Sequence, residues 1–161
     1  MTWTRISSET VIVEINPSGI YGKQRHRHGI DSRGKARGFS SPTEKAREQE
    51  IASEFILQAG TAKSEFDGEL HVTIDVQRSC PKGTPKYRQG EPDTYKPDAD
   101  NISKLVLDAL NGIAWKDDSQ VTVLTVRKHP RYIRRLPYMS IKIEYVHNIC
   151  EREDRENDNS N

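Results

Sequence analysis

The sequence predicts an α+β domain, a small mixed sheet with helices packed on it. Residues 11–15, 70–76 and 139–145 alternate apolar and polar, the two-residue period of a half-buried strand. Residues 42–59 and 101–110 repeat their apolar positions every three to four residues, the period of a helix with one buried face. The order is strand, helix, strand, helix and then two or three strands, so the helices fall between strands of one sheet.

In chain order, Val11, Val13 and Ile15 form a strand that ends at Asn16-Pro17. Residues 17–40 hold five glycines among basic side chains and read as a loop. Ser41-Pro42-Thr43-Glu44 supplies an N-cap serine, a proline at the first helical position and a glutamate three after the cap. The helix it opens runs to about Ala59, with Ile51, Ala52, Phe55, Ile56 and Ala59 on one face and Gly60 as its stop. Leu70, Val72, Ile74 and Val76 make the second strand, and the polar, proline-containing loop from Ser79 to Pro97 is expected to be mobile. A second helix follows from about Asn101 to Leu110, with Ile102, Leu105, Val106, Ala109 and Leu110 in one stripe and Asn111-Gly112 ending it. Ile113 to Trp115 reads as a short strand and Asp117-Asp118 as a turn. Val121 to Lys128 is a strand whose alternation slips at Val123-Leu124, the mark of a bulge. Met139, Ile141, Ile143 and Tyr145 give the last strand.

The whole is one domain over residues 1–150 with an acidic tail over 151–161, which carries five acids and two arginines and is expected to be disordered. A chain of 161 residues buries roughly 70% of its unfolded surface and needs no disulfide or structural metal to fold. Its two cysteines, Cys80 and Cys150, are too few for a disulfide framework. No stretch approaches the roughly 20 apolar residues of a membrane span, and residues 1–9 lack the apolar core of a signal peptide. The expected setting is the cytoplasm of a bacterial cell or a phage-infected host, with no membrane partner.

A net charge of +1 hides strong segregation. Lys23, Arg25, Arg27, Arg33, Lys35 and Arg37 are opposed only by Asp31. Between Ser119 and Ile143 stand Arg127, Lys128, Arg131, Arg134, Arg135 and Lys142 with no acid, and Arg78, Lys82, Lys86 and Arg88 occupy a third segment. Any one of these runs reads as a solvated loop. Three in one small domain point to a polyphosphate ligand, of which nucleic acid is the common one.

The densest polar cluster is Lys96-Pro97-Asp98-Ala99-Asp100-Asn101, directly before the second helix. Aspartates at helix starts ordinarily cap free N–H groups and complement the dipole. Two of them at i and i+2, bracketed by a lysine and an asparagine, exceed what capping needs and can offer hard oxygen ligands to Mg2+. Lys104 lies one turn on from Asp100, either as an ordinary surface ion pair or as a cation facing a phosphate. Asp117-Asp118 reads alone as a turn, but a chain returning along a neighbouring strand can carry it back toward Asp98 and Asp100. Three or four carboxylates around Mg2+ are the requirement of phosphodiester hydrolysis. The histidines are scattered without zinc spacing, and no serine or cysteine nucleophile motif is present.

The run Lys96-Pro97-Asp98-Ala99-Asp100-Asn101-x-x-Lys104, then Leu107-Asp108-Ala109-Leu110-Asn111-Gly112, then Trp115-x-Asp117-Asp118-Ser119-Gln120, resembles the signature of the RusA family of Holliday-junction resolvases. Gly22-Lys23-Gln24-Arg25-x-Arg27 is similar to the family's basic Lys-Gln-Arg-Pro-Arg segment, with His26 in place of the proline, and Ser41-Pro42 also matches. The glycine-rich insertion and the acidic tail have no clear family counterpart. The resemblance implies a RusA-like two-layer domain and a crossover junction endodeoxyribonuclease that is dependent on Mg2+ (or Mn2+). It implies Asp98, Asp100 and Asp118 as catalytic, metal-binding carboxylates, Asp117 as a further metal neighbour and Lys104 as the catalytic lysine. It also implies a homodimer that nicks two opposing strands of a four-way DNA junction symmetrically. Lys23, Arg25, Arg27, Lys96, Arg127 and Lys128 are the expected DNA contacts, and Leu107 is a candidate for the dimer interface. No small-molecule cofactor is expected. Two other readings remain open at this point: a junction- or duplex-binding protein without activity, and a metal-dependent RNase.

Overall fold

The computed structural model describes residues 2–16, 27–30, 36–39, 42–60, 62–133 and 135–151. In order these form β1 (Thr2–Ile15), β2 (Arg27–Ile30), β3 (Ala36–Phe39), α1 (Pro42–Ala59), β4 (Glu69–Gln77), α2 (Ala99–Leu110), β5 (Val121–Lys128) and β6 (Tyr138–Glu151). A mixed sheet runs in the order β1-β6-β4-β5. The β1/β6 and β6/β4 pairs are antiparallel, whereas β4 and β5 are parallel and joined through α2, the crossover that a parallel pair requires.

Alternation decides which face the helices cover. Leu70, Val72, Ile74 and Val76 on β4 are fully buried, in line with Val13 and Ile15 on β1 and Ile141, Ile143 and Tyr145 on β6. Against them pack Ile51 and Phe55 of α1 and Ile102, Leu105, Val106, Ala109 and Leu110 of α2. The alternate residues, among them His71, Thr73, Asp75, Lys142 and Glu144, face away from the helices, so the domain has two layers. The outer edge of β1 is partly closed by a helix side chain. Gln58 Nε2 donates to the Glu14 carbonyl at 2.8 Å, and the Glu14 N–H donates to Gln58 Oε1 at 2.9 Å.

The helices follow the sequence pattern closely. Gly60, with φ +78°, ends α1 and donates its N–H to the Ile56 carbonyl at 3.0 Å. Gly112, with φ +72°, turns the chain after α2. The strand bulge also exists, one step earlier than the sequence suggests: Leu70 pairs with Val121 and His71 with Val123, leaving Thr122 as the extra residue.

Other expectations are corrected. Residues 17–40 are not all loop, since β2 and β3 pair as a two-stranded antiparallel ribbon, Arg27 opposite Phe39 and Ile30 opposite Ala36. Five glycines masked that pairing. Ile113 to Trp115 is a turn and not a strand, carrying a single bridge between Asn111 and Trp115. Ile56 lies off the buried stripe of α1 and is 45% exposed, because it is turned about 100° from Phe55. The loop from Ser79 to Pro97, expected to be mobile, is tied to the strand ends by side chains described below. Glu151 pairs with Thr2 at the end of β6, and the rest of the acidic tail lies outside the described residues.

Candidate active site

Asp98 stands at the N-cap of α2 with extended backbone (φ −75°, ψ 158°), and its carbonyl accepts the first helical bond from Ile102 N–H at 3.1 Å. Its carboxylate makes no capping hydrogen bond. Asp100 lies in the first turn, 65% exposed, with Lys104 Nζ 3.7 Å from its Oδ2. A pair this exposed contributes about 0.3–0.5 kcal/mol, too little to explain why both charges are there. The apolar stripe of α2 orients the set, because burying Ile102, Leu105 and Val106 turns Asp100 and Lys104 outward. The ordinary capping role of a helix-start aspartate is therefore not what Asp98 performs.

The chain reaches Asp98 through a held segment. Asp93, whose side chain is 0% exposed, accepts two hydrogen bonds from Arg78: Nε to Oδ2 at 2.6 Å and Nη2 to Oδ1 at 2.5 Å. Arg131 Nε lies 3.5 Å from the same Oδ1, and its guanidinium stacks 4.0 Å from the Tyr95 ring. Burial pushes the Asp93 carboxyl up, but the Arg78 bonds and charge, the Lys128 charge and the Tyr95 N–H together hold it below the ordinary carboxylate range. Arg78 also donates to the carbonyls of Tyr95 (3.1 Å) and Lys96 (2.5 Å), and Lys128 Nζ to those of Tyr95 (2.5 Å) and Pro97 (2.9 Å). Burial lowers the Lys128 ammonium pKa, and Asp93 pulls it the other way.

Asp117 and Asp118 occupy the opposite end of the same helix. Asp117 caps a short 3-10 turn over Asp118–Gln120: its Oδ1 accepts from Ser119 N–H at 2.8 Å, and Gln120 Oε1 accepts from the Asp117 N–H at 2.9 Å. Donation from Ser119 holds the Asp117 carboxyl below its usual range. Gln120 Nε2 ties the turn to the carbonyls of Phe66 (2.8 Å) and Gly68 (3.0 Å). Asp118 Oδ1 accepts from Trp115 Nε1–H at 2.8 Å.

The two carboxylate sets are not brought together within one chain. Asp98 lies where β4 and β5 finish, beside Arg78 and Lys128, whereas Asp118 lies where both strands begin, beside Gly68. The 12 residues of α2 separate them by about 18 Å of helix. The returning strand does reach Asp98, but with its far end, Lys128, because Asp118 precedes that strand. Among the described residues no three His, Cys, Asp or Glu side chains gather as a metal-binding group.

The endodeoxyribonuclease RusA family model matches residues 17–144. The chain belongs to the RusA endodeoxyribonuclease family. It is also similar to the uncharacterized protein YqaN of Bacillus subtilis (strain 168), 38% identical over 69 residues, which are 38% of this chain and 49% of that relative. The chain thus spans about half the length of the curated relative it matches.

Within this RusA domain the expected DNA contacts sort into three groups. Lys23 and Arg25 lie outside the described residues, and Arg27 opens β2. Lys96 is exposed beside Asp98, and Arg127 is exposed with Asp75 3.5 Å away, so both can meet a phosphate. Lys128 is half-buried, and its Nζ donates to the Tyr95 and Pro97 carbonyls, while Arg78, from the third basic segment, is held by Asp93. Asp93 and Arg131 were not singled out from the sequence as partners. The available signal was the scarcity of acids there: Glu91 and Asp93 are the acids between Ser79 and Pro97, and Glu91 pairs with Arg88. Among the described residues no helix is long and apolar enough to cross a membrane.

Proposed function

We propose that the protein is a Mg2+-dependent (or Mn2+-dependent) endonuclease that resolves four-way DNA junctions by paired symmetric nicks, working as a homodimer. The observation that carries this reading is the pair Asp98 and Asp100, two solvent-facing carboxylates at i and i+2 in a family of endodeoxyribonucleases, neither used as a helix cap. Capping would make them scaffolding, as the reading of an inactive DNA-binding protein requires.

Their chemistry fits a hard divalent cation, which accepts one or two carboxylates and fills its remaining positions with water. Asp98 and Asp100 would hold it. Bound there, Mg2+ supplies an acidified water and offsets charge on the attacked phosphodiester. Lys104, one turn along, faces the same side as Asp100 and stabilises negative charge that develops on the phosphate. Lys96 and Arg127 orient the DNA backbone without reading bases.

A dimer answers the separation of Asp118. A two-fold axis across α2 exchanges the ends of that helix, which sets Asp98 and Asp100 of one protomer beside the partner's Asp118. Leu107, half-buried on α2, lies between those ends. The same two-fold matches the near-symmetry of a four-way junction and presents one site to each of two strands.

The test is a synthetic four-way junction incubated in Mg2+ with the wild-type protein and with Asp100→Asn. Paired nicks from the wild type alone, resealable by ligase, are expected. Binding without a nick in Mg2+ and in Mn2+ would overturn the reading.

A further inference from the structure

We infer that Arg78 and Lys128 are positioning residues for the proposed cleavage site: from the ends of β4 and β5 they grip the backbone carbonyls of Tyr95, Lys96 and Pro97 and so fix where Asp98 enters α2. The inference rests on the endonuclease reading above.

Three successive carbonyls leading into Asp98 are each taken by a strand-end cation, and Tyr95 by both. A solvated loop does not need this, because water satisfies exposed carbonyls at no cost in buried charge. Here two cations and a wholly buried carboxylate, Asp93, are assembled to do it. Asp93 orients the Arg78 fork through two bonds, which leaves Nη1 aimed at Lys96 and Nη2 shared with Tyr95. Arg131 closes the network on the far side of Tyr95, and its own carbonyl accepts from Gly90 N–H at 2.9 Å. Arg78 directly follows β4, whose alternate residues lie in the core, and Lys128 is the last residue of β5, which pairs with β4 along its length, so the strap is referenced to the sheet.

The Asp98 side chain makes no cap bond. Its place is set through its backbone, by α2 on one side and these carbonyls on the other. A carboxylate misplaced by 1 Å lowers a rate by on the order of 100-fold. The network also explains why two residues from the basic segments reach loop carbonyls: through them they act on Asp98.

The experiment compares wild type with Lys128→Met and Arg78→Lys by three measurements. These are hydrogen exchange of the peptide over residues 94–101, single-turnover cleavage of a four-way junction, and junction affinity in EDTA across salt concentrations. The expected result in the variants is exchange at least tenfold faster over 94–101 with β4 and β6 unchanged. Cleavage then falls roughly 10- to 100-fold, while affinity stays within about twofold and its salt slope is unaltered. Unchanged exchange overturns the inference, and so does full cleavage in a variant whose exchange has risen. A salt slope reduced by about one makes the residue a phosphate contact and overturns it equally. Should Lys128→Met fail to fold, Arg78→Lys keeps the charge beside Asp93 and is read in the same way. A wild type that never nicks removes the endonuclease reading, and the exchange data still decide whether the strap holds.

Discussion

The indole Nε1–H of Trp115 donates to Asp118 Oδ1 at 2.8 Å, from a ring that is completely buried. The core itself therefore sets the direction of the Asp118 carboxylate. Trp115→Phe keeps an apolar ring in place and deletes the donor. A hydrogen bond to a charged group contributes about 1.5–3 kcal/mol, and a loss in that range is expected in urea denaturation. Cleavage per folded molecule falls as well if Asp118 serves a site, because its carboxylate is then free to turn.

Substitution tells the proposed roles of Asp98, Asp100 and Asp117 apart. Asp98→Asn and Asp100→Asn touch no cap and are expected to melt within about a degree of wild type, given that exposed substitutions shift stability by less than ~0.5 kcal/mol. Both are expected to abolish cleavage and to bind junction DNA as well as wild type or better, since a negative charge beside the phosphate is gone. Asp117→Ala is expected to do the reverse, lowering the melting temperature through loss of its cap while folded protein still cuts. Differential scanning fluorimetry beside a nicking assay reads both. An Asp117→Ala protein of wild-type stability with no cleavage would return Asp117 to the metal set.

Most of the fold was legible because both helices and the strands β1, β4 and β6 announce themselves by period. Pro42 and Glu44 open one helix, and Gly60 and Gly112 end the two. The β2–β3 ribbon was not legible, because glycine and basic residues break the alternation that marks a strand. At the site, the i, i+2 spacing of Asp98 and Asp100 was readable, as was the i, i+4 reach of Lys104. The side of the domain on which Asp118 falls was not: it depends on which end of β5 returns to Asp98, and a one-dimensional pattern carries no such direction. Nor was the grip of Lys128 on two carbonyls, since such a lysine and one facing water read alike.

The Asp93 network sets an acid limit on stability. Its folded pKa lies below the unfolded value, so the stabilisation is complete above the unfolded pKa of about 3.9 and is lost as pH falls through the folded value. Removing one partner of a buried pair costs about 3–5 kcal/mol, so Asp93→Asn is expected to lose that much at pH 7. The gap between variant and wild type should then narrow as pH falls below about 4. Urea midpoints taken from pH 7 down to pH 2 check this. A constant gap would mean that Asp93 acts through packing and not through its charge.

The proposed sharing of a site between two protomers has a test that needs no structure of a dimer. Asp98→Asn and Asp118→Asn are each expected to be inactive alone, because in a symmetric dimer every site then carries one lesion. When the two variants are mixed and allowed to exchange subunits, the heterodimer distributes its lesions differently. If a site takes Asp98 from one protomer and Asp118 from the other, one of its two sites contains both substitutions and the other contains none. The mixture is expected to nick one strand of the junction and to leave the opposing strand whole, at up to about half of the dimers under random exchange. If each site were built within a single chain, both heterodimer sites would stay damaged and the mixture would be as silent as its components. The length of α2, about 18 Å, between the two carboxylate sets favours the first outcome.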